Sequence, residues 1–291
     1  MKQIVFISGK GGTGKTTVVA TISQLAGIRL IADCDVDAPN LDLLMQAKTE
    51  TTRDYSGSQI AIIDGEACVA CDMCRQFCRF DAISADPVYH VDPLSCEGCG
   101  VCRLVCPAGA VTLRTQITGQ VMLSQTEHGS FAHARLLPGA DGSGKLVTEV
   151  RKLIFDQMTD ESYVLIDGSP GIGCPVIASI TGTDAVVILT EPTVSGRHDM
   201  QRILEVAGHF RVPAFVCINK SDLNAELCQA IHADCQTAGV EVLAEIPFDP
   251  AVVSALQQGL SPYGADLRSF IDPVTDLWQK LTRQLRKGTF V

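Results

Sequence analysis

The sequence predicts an α/β fold: a mostly parallel sheet flanked by helices, interrupted by a small cysteine-rich domain. Three observations predict it. Short β-branched runs alternate with helix-length segments over most of the chain. These runs are apolar throughout rather than at every second position, the pattern of strands covered on both faces. Eight of the 13 cysteines fall between Cys68 and Cys106, in a window where the alternation stops.

The elements follow in order. Ile4–Ser8 is a continuous apolar run stopped by Gly9, and so a buried strand. Thr16–Ala26 reads as a helix, and Ile28–Ala32 as a second strand ending at Asp33. Later strands are Tyr163–Ile166, Ala185–Leu189, Ala214–Ile218 and Val240–Ile246, each bounded by Gly, Pro, Asp or Asn. Between them lie the helical segments Lys145–Met158, Cys174–Ile180, His198–Gly208, Ala225–Ala238 and Ala251–Gln258. Pro273–Arg286 reads as a closing helix opened by its proline. Val111–Leu136 alternates, with turn signals at Thr118-Gly119 and His128-Gly129, and predicts a small antiparallel meander; Leu137–Gly144 is a loop.

The chain has 291 residues, of which 46% are hydrophobic and 19% charged, enough apolar material for about two domains. Its net charge of 23 − 33 = −10 argues against gripping nucleic acid or anionic lipid by bulk charge. No run of about 18 apolar residues is present, so membrane insertion is not expected. Met1–Ser8 is too short for a signal peptide, and a cytoplasmic location is expected.

Gly9, Lys10, Gly11, Gly12, Thr13, Gly14, Lys15 and Thr16 satisfy G-x-x-x-x-G-K-[ST], and Thr17 carries the chain on into the helix. The motif lies between a predicted strand and a predicted helix, where glycines let backbone N–H groups curl around phosphate oxygens. Lys15 is placed to reach the β- and γ-phosphates and Thr16 to ligate Mg²⁺. Gly139–Leu146 repeats the glycine–lysine spacing without a hydroxyl after its lysine or a strand before it, and is set aside.

The other pattern is a repeat. Cys68, Cys71, Cys74 and Cys78 recur as Cys96, Cys99, Cys102 and Cys106 at a constant offset of 28 residues, with Ala82-Ile83 recurring as Ala110-Val111. The domain boundaries expected from it are 1–59 and 114–291 for a discontinuous host, and 60–113 for the insert. Both runs match the C-x₂-C-x₂-C-x₃-C spacing of bacterial two-cluster ferredoxins. That resemblance implies two [4Fe–4S] clusters, one on Cys68, Cys71, Cys74 and Cys106, the other on Cys96, Cys99, Cys102 and Cys78. Zinc ribbons instead use paired C-x-x-C knuckles. The first run departs from the ferredoxin pattern: Arg79 follows Cys78 where proline is usual, and a cation there should raise the potential of the cluster it touches.

Lys10, directly after the first glycine of the phosphate loop, is the deviant Walker A signature. The chain resembles the MinD/ParA (SIMIBI-class) P-loop ATPases, relatives of the Mrp-type ATPases and the nitrogenase iron protein, and in particular those with an inserted ferredoxin domain. The resemblance implies an ATP-closed homodimer in which Lys10 reaches the partner's phosphates. It implies that Asp35, in Asp33-Cys34-Asp35-Val36-Asp37, orients the attacking water, and that Asp167, in Asp167-Gly168-Ser169-Pro170-Gly171, helps hold Mg²⁺. It also implies adenine contacts from Asn219, of Asn219-Lys220-Ser221-Asp222, and from the loop bearing Pro247 and Asp249; in small GTPases the same N-K-x-D pattern reads guanine. Cys174 occupies the position at which the nitrogenase iron protein ligates a bridging cluster, and a buried or redox-sensitive thiol is the other reading.

Together these imply a Mg²⁺-dependent ATP hydrolase coupling nucleotide state and dimerisation to two [4Fe–4S] clusters. ATP-gated electron transfer to a redox partner is the first expectation. ATP-dependent cluster assembly or delivery is an alternative. A ParA/MinD-like positioning or regulatory switch with redox-sensing clusters is another, and it would call for a basic face or an amphipathic tail; Leu281–Val291 is basic and short.

Overall fold

The computed structural model describes residues 2–140, 142–158 and 163–287. The chain divides into two compact units, one of residues 1–53, 121–135 and 143–291, the other of 54–120 and 136–142.

The first unit opens with β1 (Lys2–Ser8), α1 (Lys15–Ala26), β2 (Leu30–Asp33), the short α2 (Leu41–Leu44) and β3 (Lys48–Tyr55). The second contains β4 (Ser58–Ile63), α3 (Met73–Gln76), β5 (Ile83–Ser84), β6 (His90–Val91), α4 (Val101–Leu104) and β7 (Val111–Gln116). The chain then returns through β8 (Gly119–Gln125), β9 (Ser130–Leu136), α5 (Ser143–Phe155), β10 (Tyr163–Asp167) and α6 (Cys174–Ile180). It ends with β11 (Ala185–Thr190), α7 (Val194–His209), β12 (Ala214–Asn219), α8 (Ala225–Thr237), β13 (Glu241–Ile246), α9 (Pro250–Gln257) and α10 (Arg268–Lys287).

The main sheet has nine strands in the order β13-β12-β11-β1-β10-β2-β9-β8-β3. From β13 to β9 every neighbouring pair is parallel. Alternate side chains of its strands serve opposite faces. Ile4 and Phe6 of β1 pack in one cluster with Leu165 of β10, Val18 and Ile22 of α1, and Leu277 and Leu281 of α10. Val5, Ile7 and Ile166 between them are equally buried. On that second face α5 and α6 cover β2 and β1, and Arg151 of α5 donates to the Gln3 amide oxygen at 2.9 Å.

Parallel register brings the strand ends into line. Asp167 pairs with Phe6 on one side and Asp33 on the other, and Asn219 pairs with Ile246. The ends of β1, β2, β10, β11 and β12 therefore open on one edge, where the order reverses about β1, the place open α/β sheets offer to ligands.

Val111–Leu136 is a meander only in part. β8 and β9 are neighbours in the main sheet, joined by the turn at His128-Gly129, and β9 runs parallel to β2, but β7 leaves them and pairs antiparallel with β4 inside the second unit. α10 begins at Arg268, so Pro273 lies within the helix rather than opening it. Its apolar stripe of Phe270, Ile271, Val274, Leu277, Leu281 and Leu285 is buried in the core. The described part of the basic tail thus commits its apolar side to the fold, and Gly288–Val291 lies outside the described residues. Among these residues no helix is long and apolar enough to cross a membrane.

The second unit is small. β4 pairs with β7 and β5 with β6. Its buried centre consists of Ala61, Cys74, Ile83, Cys102 and Val111. Two of these five are cysteines, one from the same position of each repeat.

Candidate functional site

The loop from Gly9 to Gly14 turns β1 into α1, and glycine is required at both ends. A Cβ on Gly9 would lie 2.1 Å from Cβ of Asp199. Gly14 has φ of +90°, and a Cβ there would meet the Asn219 amide nitrogen at 2.3 Å. The Asn219 amide donates to the Thr13 carbonyl at 2.8 Å, bracing the loop from β12. Thr13 and Ser8 hydroxyls both donate to the Lys10 carbonyl, at 2.8 and 2.9 Å.

A cavity of about 420 Å³ opens over this loop. Gly11 through Thr17, Asp35 and Asn40 supply the polar part of its lining, and Pro247, Phe248, Val252, Val253 and Leu256 supply an apolar part. Asp222 accepts from the Phe248 N–H at 2.7 Å and so anchors the loop of the apolar part. Asp249 lines the cavity but is occupied as the cap of α9, accepting from the Ala251 N–H at 2.8 Å and from Ser269 at 2.5 Å. Those bonds hold its carboxyl below the usual carboxylate range.

The polar part is charged and buried. Lys15 is 5% exposed, and its Nζ lies 2.5 Å from Oδ1 of the fully buried Asp167. The Thr16 hydroxyl donates to Oδ2 of the same carboxylate at 2.8 Å. Asp33, the register neighbour of Asp167, accepts from the N–H groups of Asp35 at 2.9 Å and Leu41 at 3.3 Å. Burial, reinforced by the charge of Asp167, pushes the Asp33 carboxyl up to about 8. Burial also raises Asp35. For Lys15, burial works against the charged form, but Asp167 and Asp33 more than offset it and its pKa is raised. The carboxyl groups of Asp33, Asp35 and Asp167 with the Thr16 hydroxyl form an oxygen-rich set, one that fits Mg²⁺ through Thr16 and Asp167.

Two loops lean on this centre. The Cys34 N–H donates to the Asp167 carbonyl at 2.7 Å, and the Ser169 hydroxyl donates to the Cys34 carbonyl at 2.5 Å, joining the segments after β2 and β10. The Gly168 and Gly171 N–H groups donate to the Phe6 and Ser8 carbonyls of β1. Cys174 is exposed at the start of α6, its Cβ packed near Gly144.

Lys10 is held within its own chain. Its Nζ donates to the Ser195 hydroxyl at 3.1 Å and lies 3.9 Å from the Glu191 carboxylate. Glu191 also pairs with Lys220 at 2.5 Å, and Lys220 donates to the Gly12 carbonyl at 3.2 Å. Sequence reasoning missed Glu191 and Ser195; the available signal was a carboxylate directly beyond the end of β11, on the edge where the other site residues gather. It also missed Val252 and Leu256, whose apolar character reads equally well as core.

In the second unit the eight clustered cysteines separate into two sets of four. Cys78, Cys96, Cys99 and Cys102 line one small cavity, together with Ala61 and Phe80. Cys68, Cys71, Cys74 and Cys106 line another, together with Ile63 and Tyr89. Each set takes three cysteines from one run and the fourth from the other. Arg79 is exposed.

Residues 4–263 match the family described as CobQ/CobB/MinD/ParA nucleotide binding domain. An uncharacterized protein of Methanocaldococcus jannaschii is 31% identical over 225 residues, covering 76% of this chain and 79% of that protein. A second uncharacterized protein of the same organism is 25% identical over 286 residues, covering 95% and 97%. The septum site-determining protein MinD of Buchnera aphidicola is 28% identical over 207 residues, covering 70% and 57%. Among solved structures, the septum site-determining protein MinD of Pyrococcus horikoshii, complexed with Mg-ADP, superposes with a TM-score of 0.59 at 17% identity, covering 100% and 99%.

Proposed function

Because the chain belongs to the CobQ/CobB/MinD/ParA nucleotide-binding family, we propose that it is a Mg²⁺-dependent ATP hydrolase of the MinD/ParA type, working as a nucleotide-dependent switch. The observation that carries this reading is the buried Lys15–Asp167–Thr16 cluster, whose Lys15 and Thr16 line the same cavity as the apolar side chains of Pro247, Phe248 and Val252. A polyanion needs the first group and a planar base the second. The relatives with a stated role are septum site-determining proteins, which weighs toward a positioning or regulatory switch over electron transfer as the primary task.

Lys15 leaves Asp167 for the phosphates when a nucleotide enters, and the loop's N–H groups bind the phosphate oxygens. Thr16 and Asp167 would hold Mg²⁺, which offsets phosphate charge. Asp35, in the polar part of the cavity lining, orients the attacking water. Asn219 braces the loop, and Pro247, Phe248 and Asp249 border the base, read here as adenine. Lys10 gives up Ser195 and Glu191 to reach the phosphates of a second copy, closing a homodimer. Phosphate release from ATP, compared with GTP and with the Lys15→Ala protein, tests this reading. A Lys15→Ala protein hydrolysing ATP at the wild-type rate would remove it.

The second unit, spanning the expected insert 60–113, is read as a two-cluster ferredoxin-like domain related to that of the iron–sulfur ATPases. Cys68, Cys71, Cys74 and Cys106 would hold one [4Fe–4S] cluster, and Cys96, Cys99, Cys102 and Cys78 the other. The two four-cysteine cavities support this. Such clusters supply one-electron redox chemistry. They suit the switch to redox sensing, or to gated electron transfer toward a partner protein; four cysteines per cavity favour permanent clusters over delivery. Thiolates kept for iron belong in a reducing compartment, and we place the protein in the cytoplasm on that ground.

A further inference from the structure

A further group of side chains with metal-ligand chemistry lies in the first unit, among residues that do not line the nucleotide cavity. Cys228 and His232 are four residues apart on α8 and share one helical face. Glu245 approaches them from β13, the edge strand of the main sheet. One oxygen of its carboxylate lies 2.8 Å from Nε2 of His232, and the other accepts from the Cys228 thiol at 3.6 Å. The three ligand atoms all fall within 4.8 Å of one another.

We propose that Cys228, His232 and Glu245 form a zinc site that ties α8 to the edge strand. Thiolate, imidazole and carboxylate are the donor types of a borderline-soft divalent ion, and tetrahedral zinc spaces such donors about 3.3–3.8 Å apart. The observed trio needs only small side-chain shifts to meet that spacing. Cys228 is buried while His232 and Glu245 reach the surface, so an ion has a path in and a fourth position facing solvent. The thiol proton leaves to solvent as the sulfur–metal bond forms, and no electron moves. Glu245 is followed by Ile246 and then Pro247 in the cavity's apolar lining, so the staple would fix the strand that carries the loop.

The test is zinc stoichiometry on the full chain, purified anaerobically with its iron measured, after equilibrium dialysis against micromolar zinc. Wild type is expected to hold one zinc per chain more than either Cys228→Ser or His232→Ala, with iron unchanged in all three. Zinc should raise the melting temperature of wild type and leave both variants where they are. His232 is half-exposed, so its alanine variant keeps the fold if the cysteine variant does not. Equal zinc content in wild type and the folded variants would overturn the site and reduce the trio to a hydrogen-bonded cluster. Iron loading and ATP hydrolysis bear on neither outcome, so this inference stands or falls apart from the reading of the nucleotide site.

Discussion

Lys15 and Asp167 meet at 2.5 Å with almost no solvent exposure, 152 residues apart in the chain. Each is the other's counterion. Removing one partner of such a pair leaves a buried charge and costs about 3–5 kcal/mol, whereas replacing both by apolar or neutral groups is close to neutral. Lys15→Met and Asp167→Asn alone are therefore expected to lower unfolding stability by that order in urea titrations. The double variant is expected to recover most of the loss while ATP hydrolysis stays abolished. A double variant as unstable as the sum of the singles would show that the pair is not coupled.

Glu191 holds two lysines of the site, Lys10 and Lys220, and is itself buried. If Lys10 serves a second copy of the chain, Glu191 competes with that copy for it. Glu191→Gln should weaken the hold and increase the ATP-dependent dimer fraction several-fold in light scattering at micromolar protein. Lys10→Ala should abolish that dimer and lower hydrolysis by at least about tenfold, the range expected when a charge at the transferring phosphate is lost. ATP binding itself should survive in both variants. A Lys10→Ala protein that still dimerises with ATP would place the contact elsewhere.

The nucleotide-free protein should lose stability as pH rises from about 4 to about 8. Asp33 has an ordinary carboxyl value of 3.8 when exposed and about 8 in the fold, where burial and Asp167 oppose its ionisation. The folded state binds more protons than the unfolded one between those values, so the slope of stability with pH is negative there and levels off above. Asp33→Asn should flatten the profile in thermal melts recorded without divalent ions. It should also lower stability slightly at pH 5, because an amide nitrogen cannot accept from the Leu41 N–H that Asp33 now takes. An unchanged slope in Asp33→Asn would assign the dependence to other groups.

The parallel core was legible because β1, β10, β11 and β12 are apolar throughout, and Gly9–Thr16 names its chemistry by spacing alone. β7 was misassigned because alternation reports one polar face without saying which strand lies alongside. Pro273 was read as a helix start because proline is favoured in the first turn, whereas it is the sixth residue of α10. Glu191 and Ser195 escaped notice because the partner that gives them meaning, Lys10, is some 180 residues away in the chain. The split of the cysteines into two crossed sets followed from ferredoxin spacing. The Cys228–His232–Glu245 trio did not, since Glu245 approaches from a different element and three donors separated by 4 and 13 residues match no compact motif.

The insert makes the sharpest demand on measurement. Its buried centre is five residues, two of them cysteine, which is too small to hold a unit of about 70 residues by apolar burial alone. On the ferredoxin reading, metal–thiolate bonds become folding energy, and each half would depend on its own set. Cys74→Ser should remove about four of eight irons from the anaerobically purified chain, and Cys102→Ser the other four. The double variant should lose iron entirely and leave the insert open to limited proteolysis, while the ATPase unit keeps its cavity and its ATP affinity. Arg79→Gln should keep all eight irons and lower the midpoint potential of the cluster lost in Cys102→Ser, because Cys78 lines the same cavity as Cys102. Zinc in place of iron, or an insert that resists protease without metal, would overturn the ferredoxin reading and leave the nucleotide site untouched.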